Sequence, residues 1–360
     1  MNWLKRADRM IAEQVLIAFA LVWLLLIGID AGFSLIRELK QIGNGNYTLT
    51  TAFTYIAWTL PRRSYEMFGV AAVLGGVIGL GALAPTSELT ALRAAGYAKG
   101  RLAAAAALTI VALMIPVMWI GDTLGPEGER RAQSVSVSAK SLNMVVTNSS
   151  GMWARDGNEL LNAKQGRVLP SGIELVDTRL YRFDANGLLL AITRSELTTF
   201  RDGIWQFHQV KRYRFTVDAV ATDHFDTLAW PSHLDPHLLS LSIVQPRYQR
   251  IADLRSHIAY LRHNGLDDGA FVTAYWSRIF FPISVLAPLL IALPLVFGAL
   301  RSGGFGKRVF LGLLIAVGYF IVLQPTAVNL AQVVGIHVVW AYTLPALLLL
   351  TSGVYWLRRP

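Results

Sequence analysis

LAAAAALTIVALMIPVMWIG, the stretch from Leu102 to Gly121, carries no charged side chain. About 20 mostly apolar residues are enough for a helix to cross the hydrocarbon core of a bilayer. A helix on a soluble protein would show a polar face, which this stretch lacks. Charged residues begin directly after it, at Asp122 and again at Glu127. The stretch therefore predicts a transmembrane helix that is followed by a soluble segment.

Five more apolar stretches flank a long polar interval, about Gly125–Asp268. They are Val15–Ile29, with apolar residues continuing to Ile36, then Met67–Ala84, Ile279–Leu300, Val309–Ile336 and Val338–Leu357. We predict an α-helical membrane protein with six transmembrane helices in a 3+3 arrangement and an inserted domain. Helices 1–3 occupy residues 1–124, the insert 125–270 and helices 4–6 residues 271–360. We expect the first helix to be retained, because it is too long for a signal peptide and no small-residue cleavage site follows it.

The composition excludes several classes of protein. The chain is 54% hydrophobic and 16% charged, against about 25% charged residues in an average soluble protein. A purely cytosolic enzyme and a largely disordered chain are therefore excluded. The chain has no cysteine, so it forms no disulfide, thiolate metal site or cysteine nucleophile.

The net charge of +10 lies almost entirely on the membrane part, because the insert is close to neutral. Lysine and arginine in short loops mark the cytoplasmic side of a membrane protein. One side carries Lys5, Arg6, Arg9, Arg93, Lys99, Arg101, Arg301, Lys307, Arg308, Arg358 and Arg359, and the other carries Arg37, Lys40, Arg62, Arg63 and Arg278. We therefore predict that both termini are cytoplasmic and that the insert lies on the opposite side.

The insert is expected to be a β domain. Strand-like runs occupy Glu174–Phe183, Leu188–Leu197, Ile204–Phe207 and Tyr213–Val220. Asn186-Gly187 and Asp202-Gly203 separate successive runs and suit tight hairpin turns, because these residues tolerate positive φ. The pattern predicts an antiparallel meander or sandwich.

The end of the insert changes to a helical period, over about residues 247–263. Ile251, Leu254, Ile258 and Leu261 fall on one helical face, and Asn264-Gly265 supplies a stop signal. Two interpretations remain open for this amphipathic helix. It lies on the outer membrane surface with its arginines reaching the headgroups, or it packs on the β domain.

We expect no catalytic residue, metal site or cofactor in this chain. The sequence contains no phosphate-binding loop, no H-E-x-x-H and no G-x-S-x-G. His233 and His237 have i, i+4 spacing, but Pro236 between them argues against a shared helix face, so a polar loop is favoured over a metal site. His257 and His263 are interpreted as surface residues.

The short cytoplasmic segment Pro85–Lys99 reads PTSELTALRAAGYAK. It predicts a short helix that Thr86 or Ser87 caps and Gly96 ends. Glu88 is the only acid in this loop, and two interpretations of it are open. The helix is a solvated connection with an acid in its first turn, or it is a peg that docks into a partner.

Leu74–Leu102, "LGGVIGLGALAPTSELTALRAAGYAKGRL", resembles the end of helix 2, the coupling helix and the start of helix 3 in the YjgP/YjgQ permease family, LptF and LptG. The resemblance extends over the whole chain in the expected order. It includes Gly43–Tyr47, Pro126–Glu129, Gly151–Leu161, Tyr275–Val285 and Phe297–Ser302. The Trp153–Gly157 stretch is more similar to the LptG branch than to the LptF branch.

This resemblance implies a permease subunit of the lipopolysaccharide export ABC transporter in the bacterial inner membrane. Its insert would be a periplasmic β-jellyroll that receives lipopolysaccharide, and its partners would be LptF, LptC and two LptB ATPase subunits. Glu88, with Leu89, Leu92 and Arg93 on the same helix, would transmit movement from LptB. ATP hydrolysis is expected on LptB alone.

The resemblance also implies that basic residues at the outer end of helix 1 meet the phosphates of lipid A. Lys40 fits this pattern and Arg37 lies close to it in sequence, whereas Ser34 and Gln41 stand where some family members carry lysine. Both side chains form charge-assisted hydrogen bonds with phosphate. The alternative interpretation is that these charges only anchor the helix end at the membrane interface.

Helices 2 and 5 carry two further signals. Ala71, Gly75 and Gly79 recur every four residues on helix 2 and predict close helix packing against an undetermined neighbour. Pro325 predicts a bend in helix 5, and Pro282, Pro288 and Pro294 predict bends in helix 4. Because helices 1 and 5 line the lateral entrance in the family, the resemblance implies that Pro325 affects gating.

Two other functions remain as alternatives. The first is LptF, which belongs to the same class but occupies the other position in the complex. The second is a membrane scaffold that transports nothing and whose β domain tethers a partner. A scaffold needs no cytoplasmic coupling helix, so the role of Pro85–Lys99 separates it from a permease.

Overall fold

The chain divides into two compact units in the computed structural model, which describes residues 6–43, 46–140, 152–169, 172–184, 187–201, 204–216, 219–231, 245–297 and 305–358. The helical unit comprises Met1–Arg37, Ile56–Gly128 and Val272–Pro360. The β unit comprises Glu38–Tyr55 and Glu129–Phe271. The predicted fold class, a helical membrane protein with an inserted β domain, is confirmed.

The helices are α1 (Arg6–Leu39), α2 (Leu49–Ala82), α3 (Glu88–Ala94), α4 (Lys99–Asp122), α5 (Leu124–Lys140), α6 (Ile251–His263), α7 (Gly269–Ile279), α8 (Phe281–Ala292), α9 (Pro294–Phe297), α10 (Phe305–Val317), α11 (Gln324–Val334) and α12 (Val338–Arg358). The strands are β1 (Met152–Asp156), β2 (Glu159–Leu169), β3 (Gly172–Phe183), β4 (Leu189–Arg201), β5 (Ile204–Phe215) and β6 (Val220–Trp230). A 3₁₀ turn covers Pro246–Tyr248, and a π-helical segment covers Gly318–Leu323.

Five helical stretches of the described residues are long and apolar enough to cross a membrane. They are Arg6–Leu39, Leu49–Ala82, Lys99–Ser136, Val309–Val334 and Val338–Arg358. A sixth is formed if Gly269–Ile279 and Phe281–Phe297 are one span, bent by 56°. The predicted fourth helix is therefore bent. Pro282 is the second residue of α8, directly after the break, and Pro294 begins α9.

The small residues of α2 pack against α1, which identifies the neighbour that the sequence left open. A Cβ added at Gly75 would lie 2.5 Å from the Cα of Phe19, and one added at Gly79 would lie 2.5 Å from the Cα of Val15. Ala71 is fully buried in the same helical core. The two backbones therefore approach each other more closely than any larger residue at these positions would allow.

Pro325, at which we predict a bend, lies just after a π-helical segment. Pro325 is in the first turn of α11, directly after Gly318–Leu323. Proline has no N–H for the carbonyl four residues earlier, and its ring collides with that carbonyl, so the preceding turn must widen. Phe320 of this segment lies against Gly69 of α2, where an added Cβ would come within 2.5 Å of the Phe320 ring.

The described strands form one six-stranded antiparallel sheet in the order β1-β2-β3-β4-β5-β6. This is the meander that the hairpin signals predicted, and no crossover connection joins the described strands. The predicted strand Tyr213–Val220 is wrong, because β5 ends at Phe215 and β6 begins at Val220, and these two strands pair with each other. Strands β1 and β2 lie outside the predicted runs. Gly187 has the expected positive φ of 83°, whereas Asn186 and Asp202-Gly203 lie outside the described residues.

One face of the sheet carries the apolar core of the β unit, which includes Trp205, Phe207, Leu161 and Leu175. Tyr260 of α6 packs against this core. Between the two interpretations of the amphipathic helix, this contact favours packing on the β domain. The helix ends as predicted at Asn264-Gly265, with Leu266 N–H bonded to the Leu261 carbonyl and Gly265 at φ 62°.

Candidate functional site

The predicted cytoplasmic helix is α3, and it ends as the sequence indicated. Gly96 adopts a φ of 88°, its N–H donates to the Arg93 carbonyl, and the Tyr97 N–H donates to the Leu92 carbonyl. These two bonds satisfy carbonyls that the helix itself leaves open, because Gly96 can take the left-handed conformation without a steric cost.

The predicted side-chain cap of α3 is wrong. Ser87 occupies the N-cap position but has a left-handed backbone (φ 62°), and its hydroxyl caps no backbone N–H. The Thr86 hydroxyl donates backwards to the Leu83 carbonyl at 3.2 Å. The first turn is instead held by main-chain bonds, with Leu89 N–H donating to the Leu83 carbonyl at 3.0 Å.

The four coupling residues predicted on α3 fall into two groups. Leu89 is 5% exposed and belongs to the helical core, and Leu92 packs against that core. Arg93 is exposed and Glu88 is half-buried. The two leucines thus anchor α3 to its own subunit and are not free to pack against a partner, whereas Glu88 and Arg93 remain accessible.

The C-terminal end of α1 holds a buried polar cluster that includes Ser34, a neighbour of Arg37. Arg63 of α2 is 2% exposed, and Ser34 of α1 is 4% exposed. Arg63 forms an ion pair with Asp30, and its Nη2 donates to the Ser34 Oγ at 2.6 Å. A buried charge in a transmembrane helix is costly unless it is paired and hydrogen-bonded, and Arg63 meets both conditions.

Arg37 is exposed at the end of α1 and donates from Nη2 to the same Ser34 Oγ at 3.0 Å. Two guanidinium groups therefore converge on one hydroxyl oxygen. The sequence identifies Arg63 only as a basic residue near a span end and does not predict this role. The signal was the pair Thr59 and Arg63 at i, i+4 in an apolar helix, with Asp30 as an acid in the apolar part of α1.

Lys40 belongs to the β unit and is exposed in the turn after α1. In the same unit, the Tyr47 hydroxyl donates to the Glu38 Oε2 at 2.6 Å, and Tyr47 is 2% exposed. Burial, followed by this contact with the Glu38 carboxylate, raises the pKa of Tyr47 above its usual value. Tyr47 therefore stays neutral and keeps Glu38 hydrogen-bonded near the turn that carries Lys40.

A second buried arginine, Arg278 of α7, is 6% exposed in the helical unit. Its Nη1 donates to the Gly121 carbonyl at 3.0 Å and lies 3.6 Å from an Asp122 carboxylate oxygen. Its guanidinium also lies over the ring of Tyr65, 5.5 Å from the centroid. Arg278 thus joins α2, α4 and α7, a role that its place among the basic residues near span ends does not predict.

Across the described ranges, no three of the histidine, aspartate and glutamate side chains cluster closely enough to hold a metal ion. His233 and His237 lie outside the described residues. The surface position predicted for His257 is wrong, since it is 2% exposed and stacks on Phe271 with a centroid distance of 4.8 Å.

The fold and the site together define a class of protein. Helices long and apolar enough to cross a membrane, a short helix between two of them and an inserted β sheet define a multi-pass helical membrane protein with a β domain. The chain matches the family described as "Lipopolysaccharide export system permease LptF/LptG" over residues 9–359. The chain belongs to this LptF/LptG family.

Two curated relatives extend the comparison. The lipopolysaccharide export system permease protein LptG of Haemophilus influenzae is 28% identical over 353 residues, which is 97% of each chain. The protein of the same name from Escherichia coli strain K12 is 28% identical over 356 residues, or 98% of each chain. The similarity therefore runs from end to end and includes both units.

Proposed function

We propose that this chain is the LptG-type permease subunit of a lipopolysaccharide export transporter in a bacterial inner membrane. The observation that carries the proposal is the end-to-end similarity to two LptG proteins, within a family match over residues 9–359. The spans and the inserted sheet are the parts that such a subunit needs. Its partners would be LptF as the second permease subunit, two LptB ATPase subunits and LptC.

The orientation follows from the basic residues. Lysine and arginine accumulate around α3 and the two termini, as cytoplasmic loops do. We place α3 and both termini in the cytoplasm and the β unit in the periplasm. In this position α3 meets an ATPase and the sheet meets the periplasmic components. Accessibility of cysteines introduced at Thr90 and Lys164 to a membrane-impermeant thiol reagent tests the assignment, since the chain has no cysteine of its own.

Transmission from the ATPase would pass through the exposed side of α3. Glu88 and Arg93 offer both signs of charge to a partner, while Leu89 and Leu92 attach α3 to the helical core. A short helix anchored in this way moves as one body with α2 and α4. ATP binding and hydrolysis on LptB would therefore displace the spans, and this chain would carry out no covalent chemistry.

The substrate would meet this chain at Arg37 and Lys40. Both side chains are exposed, and both suit the phosphates of a glycolipid through charge-assisted hydrogen bonds. Lipopolysaccharide would enter laterally from the outer leaflet, move upward and pass to the β unit. The π-helical segment before Pro325 is where α10 and α11 would change their relative angle during gating.

Two experiments test the proposal. Expression in Escherichia coli strains depleted of LptG or of LptF separates the two positions in the complex, and we expect growth to be restored only in the strain without LptG. Rescue of the strain without LptF alone would assign the other position, and rescue of neither strain would contradict function in this complex.

The second experiment places a photo-crosslinking amino acid at position 40 of the assembled complex. We expect a lipopolysaccharide adduct that decreases when ATP is supplied, because turnover moves the substrate away from the site. A scaffold that transports nothing would give no adduct, or an adduct that ATP leaves unchanged.

A further inference from the structure

The buried cluster around Arg63 uses every nitrogen of its guanidinium. Nε donates to the Thr59 Oγ1 at 3.0 Å, Nη1 contacts both the carboxylate and the backbone carbonyl of Asp30, and Nη2 donates to Ser34 Oγ at 2.6 Å. Thr59 is fully buried. A planar guanidinium that donates from all three nitrogens has one orientation, so its own position and the positions of its partners are fixed together.

The Ser34 hydroxyl connects this buried network to the exposed side chain of Arg37. Its oxygen accepts from Arg63 on one side and from Arg37 Nη2, at 3.0 Å, on the other. An exposed arginine otherwise samples many rotamers, and ordering it on binding a ligand reduces affinity. The bond to Ser34 holds Arg37 in one direction before any ligand arrives.

The charges of the cluster favour an anion at Arg37. Two guanidinium groups around one hydroxyl would repel each other, but the Asp30 carboxylate neutralises Arg63. The net positive charge therefore lies on Arg37. Its Nε and Nη1 make no hydrogen bond among the described residues, and Nη2 keeps a second hydrogen, so a phosphate can bind with two bonds.

We propose that Arg63 and Ser34 are positioning residues that hold the guanidinium of Arg37 ready for a phosphate of the transported glycolipid. This inference rests on the proposed function, in which Arg37 meets lipopolysaccharide. Arg63 contacts no ligand itself and acts only through the Ser34 hydroxyl. The arrangement explains why a fully buried arginine, costly in a membrane, stands beside an exposed one.

The test is a double-mutant cycle on the complex in phosphatidylcholine nanodiscs, with binding of lipopolysaccharide and of enzymatically dephosphorylated lipopolysaccharide measured by fluorescence. We expect Arg37→Ala to weaken binding of the phosphorylated form by about tenfold, the size of one charge-assisted hydrogen bond. Ser34→Ala should cause most of the same loss, and the double variant should be no weaker than Arg37→Ala alone. Dephosphorylated lipopolysaccharide should bind the parent and all three variants alike.

Two conservative variants separate positioning from stability. Ser34→Thr keeps the hydroxyl and should restore binding, whereas Arg63→Lys keeps the charge beside Asp30, lacks the planar guanidinium and should resemble Ser34→Ala. If Arg37→Ala binds as tightly as the parent, the substrate site at Arg37 is wrong, and this inference falls with it. If Arg37→Ala weakens binding while Ser34→Ala has no effect, or if the two losses add, only the positioning role is overturned.

Discussion

The cluster around Arg63 and the helix α3 hold charged residues in opposite ways. Around Arg63 a buried guanidinium is bonded to the half-buried Asp30 and to the buried Ser34, which also bonds the exposed Arg37. On α3 the apolar Leu89 is buried, while Glu88 is half-buried and Arg93 is exposed. In the cluster, buried hydrogen bonds hold the exposed guanidinium of Arg37 in place. On α3, a buried leucine holds the helix, and its charged side chains carry no such network among the described residues.

The difference indicates what each region recognises. A small anion such as phosphate needs donors held in fixed directions, which a buried hydrogen-bond network provides. A protein surface accommodates flexible charged side chains, because exposed ion pairs contribute little and packing supplies most of the affinity. Mutations in the two regions should therefore differ both in their effect on stability and in the function that they remove.

The largest loss of stability is expected from Arg63→Ala. Removing the guanidinium leaves the 30% exposed Asp30 carboxylate and the buried hydroxyls of Thr59 and Ser34 without this partner. The cost is about 3 kcal/mol, the lower end of the range for a buried pair, because water reaches Asp30. The measurement is the apparent unfolding temperature of the purified complex in detergent. Arg9→Ala is the matched control, since Arg9 pairs with Glu13 but has an 80% exposed side chain, and it should cost less than about 1 kcal/mol. Equal shifts for the two variants would show that burial of the Arg63 pair carries no special energy.

Leu89→Ala is expected to come next. The buried leucine joins α3 to the helical core, and truncation of a buried leucine costs about 2–5 kcal/mol, with the lower end expected in a helix this short. Limited proteolysis around α3, together with the unfolding temperature, measures the loosening. Ala91→Ser, at an exposed position of the same helix, should leave both unchanged. Protection from the protease in Leu89→Ala would contradict the anchoring role.

Gly79→Ala is expected to have an intermediate effect. The added Cβ would lie 2.5 Å from the Cα of Val15, so α1 must move away from α2, and such overpacking costs about 1–3 kcal/mol. Gly81→Ala, in the same helix with no atom within 4 Å of the added Cβ, is the control. It should be neutral or slightly stabilising, because alanine favours a helix. Similar unfolding temperatures for the two variants would disprove close packing at Gly79.

The helical unit could largely be predicted from the sequence, because a bilayer imposes a length and an apolar composition that local inspection detects. The helix end at Gly96 and the special position of Pro325 could also be predicted from the local sequence. Glycine frees its own backbone for the left-handed conformation, and proline restricts its own. The start of the fourth span was predicted at Ile279, whereas the helix begins at Gly269 in the structure. The bend between α7 and α8 therefore lies inside the span and not at its start.

The strands and the Arg63 cluster were harder to predict, for different physical reasons. In β3, Leu175, Thr178 and Leu180 are buried, and the step from 175 to 178 breaks the period of two because Asp177 has a φ of 48°. Alternation in the sequence therefore fails where the strand itself changes face. The ion pair between Asp30 and Arg63 joins two helices, and spacing within one helix carries no information about such a contact.

The smallest change in stability is expected from Glu88→Ala, and this variant separates the two regions most sharply. An acid in the first turn of a helix contributes about 0.3–1 kcal/mol through the helix dipole, and alanine recovers part of that by its helix propensity. The unfolding temperature should therefore stay close to that of the parent.

Export, in contrast, should respond strongly to Glu88→Ala. Because the half-buried carboxylate can still be reached on α3, we expect export to fall severalfold while ATP hydrolysis is retained, since the ATPase would turn over without moving the spans. Glu13→Ala, which removes an exposed acid from α1, controls for loss of a charge alone. Normal export in Glu88→Ala, or a drop in stability as large as that of Leu89→Ala, would mean that α3 only connects two spans. The two regions would then differ in the burial of their charges but not in function.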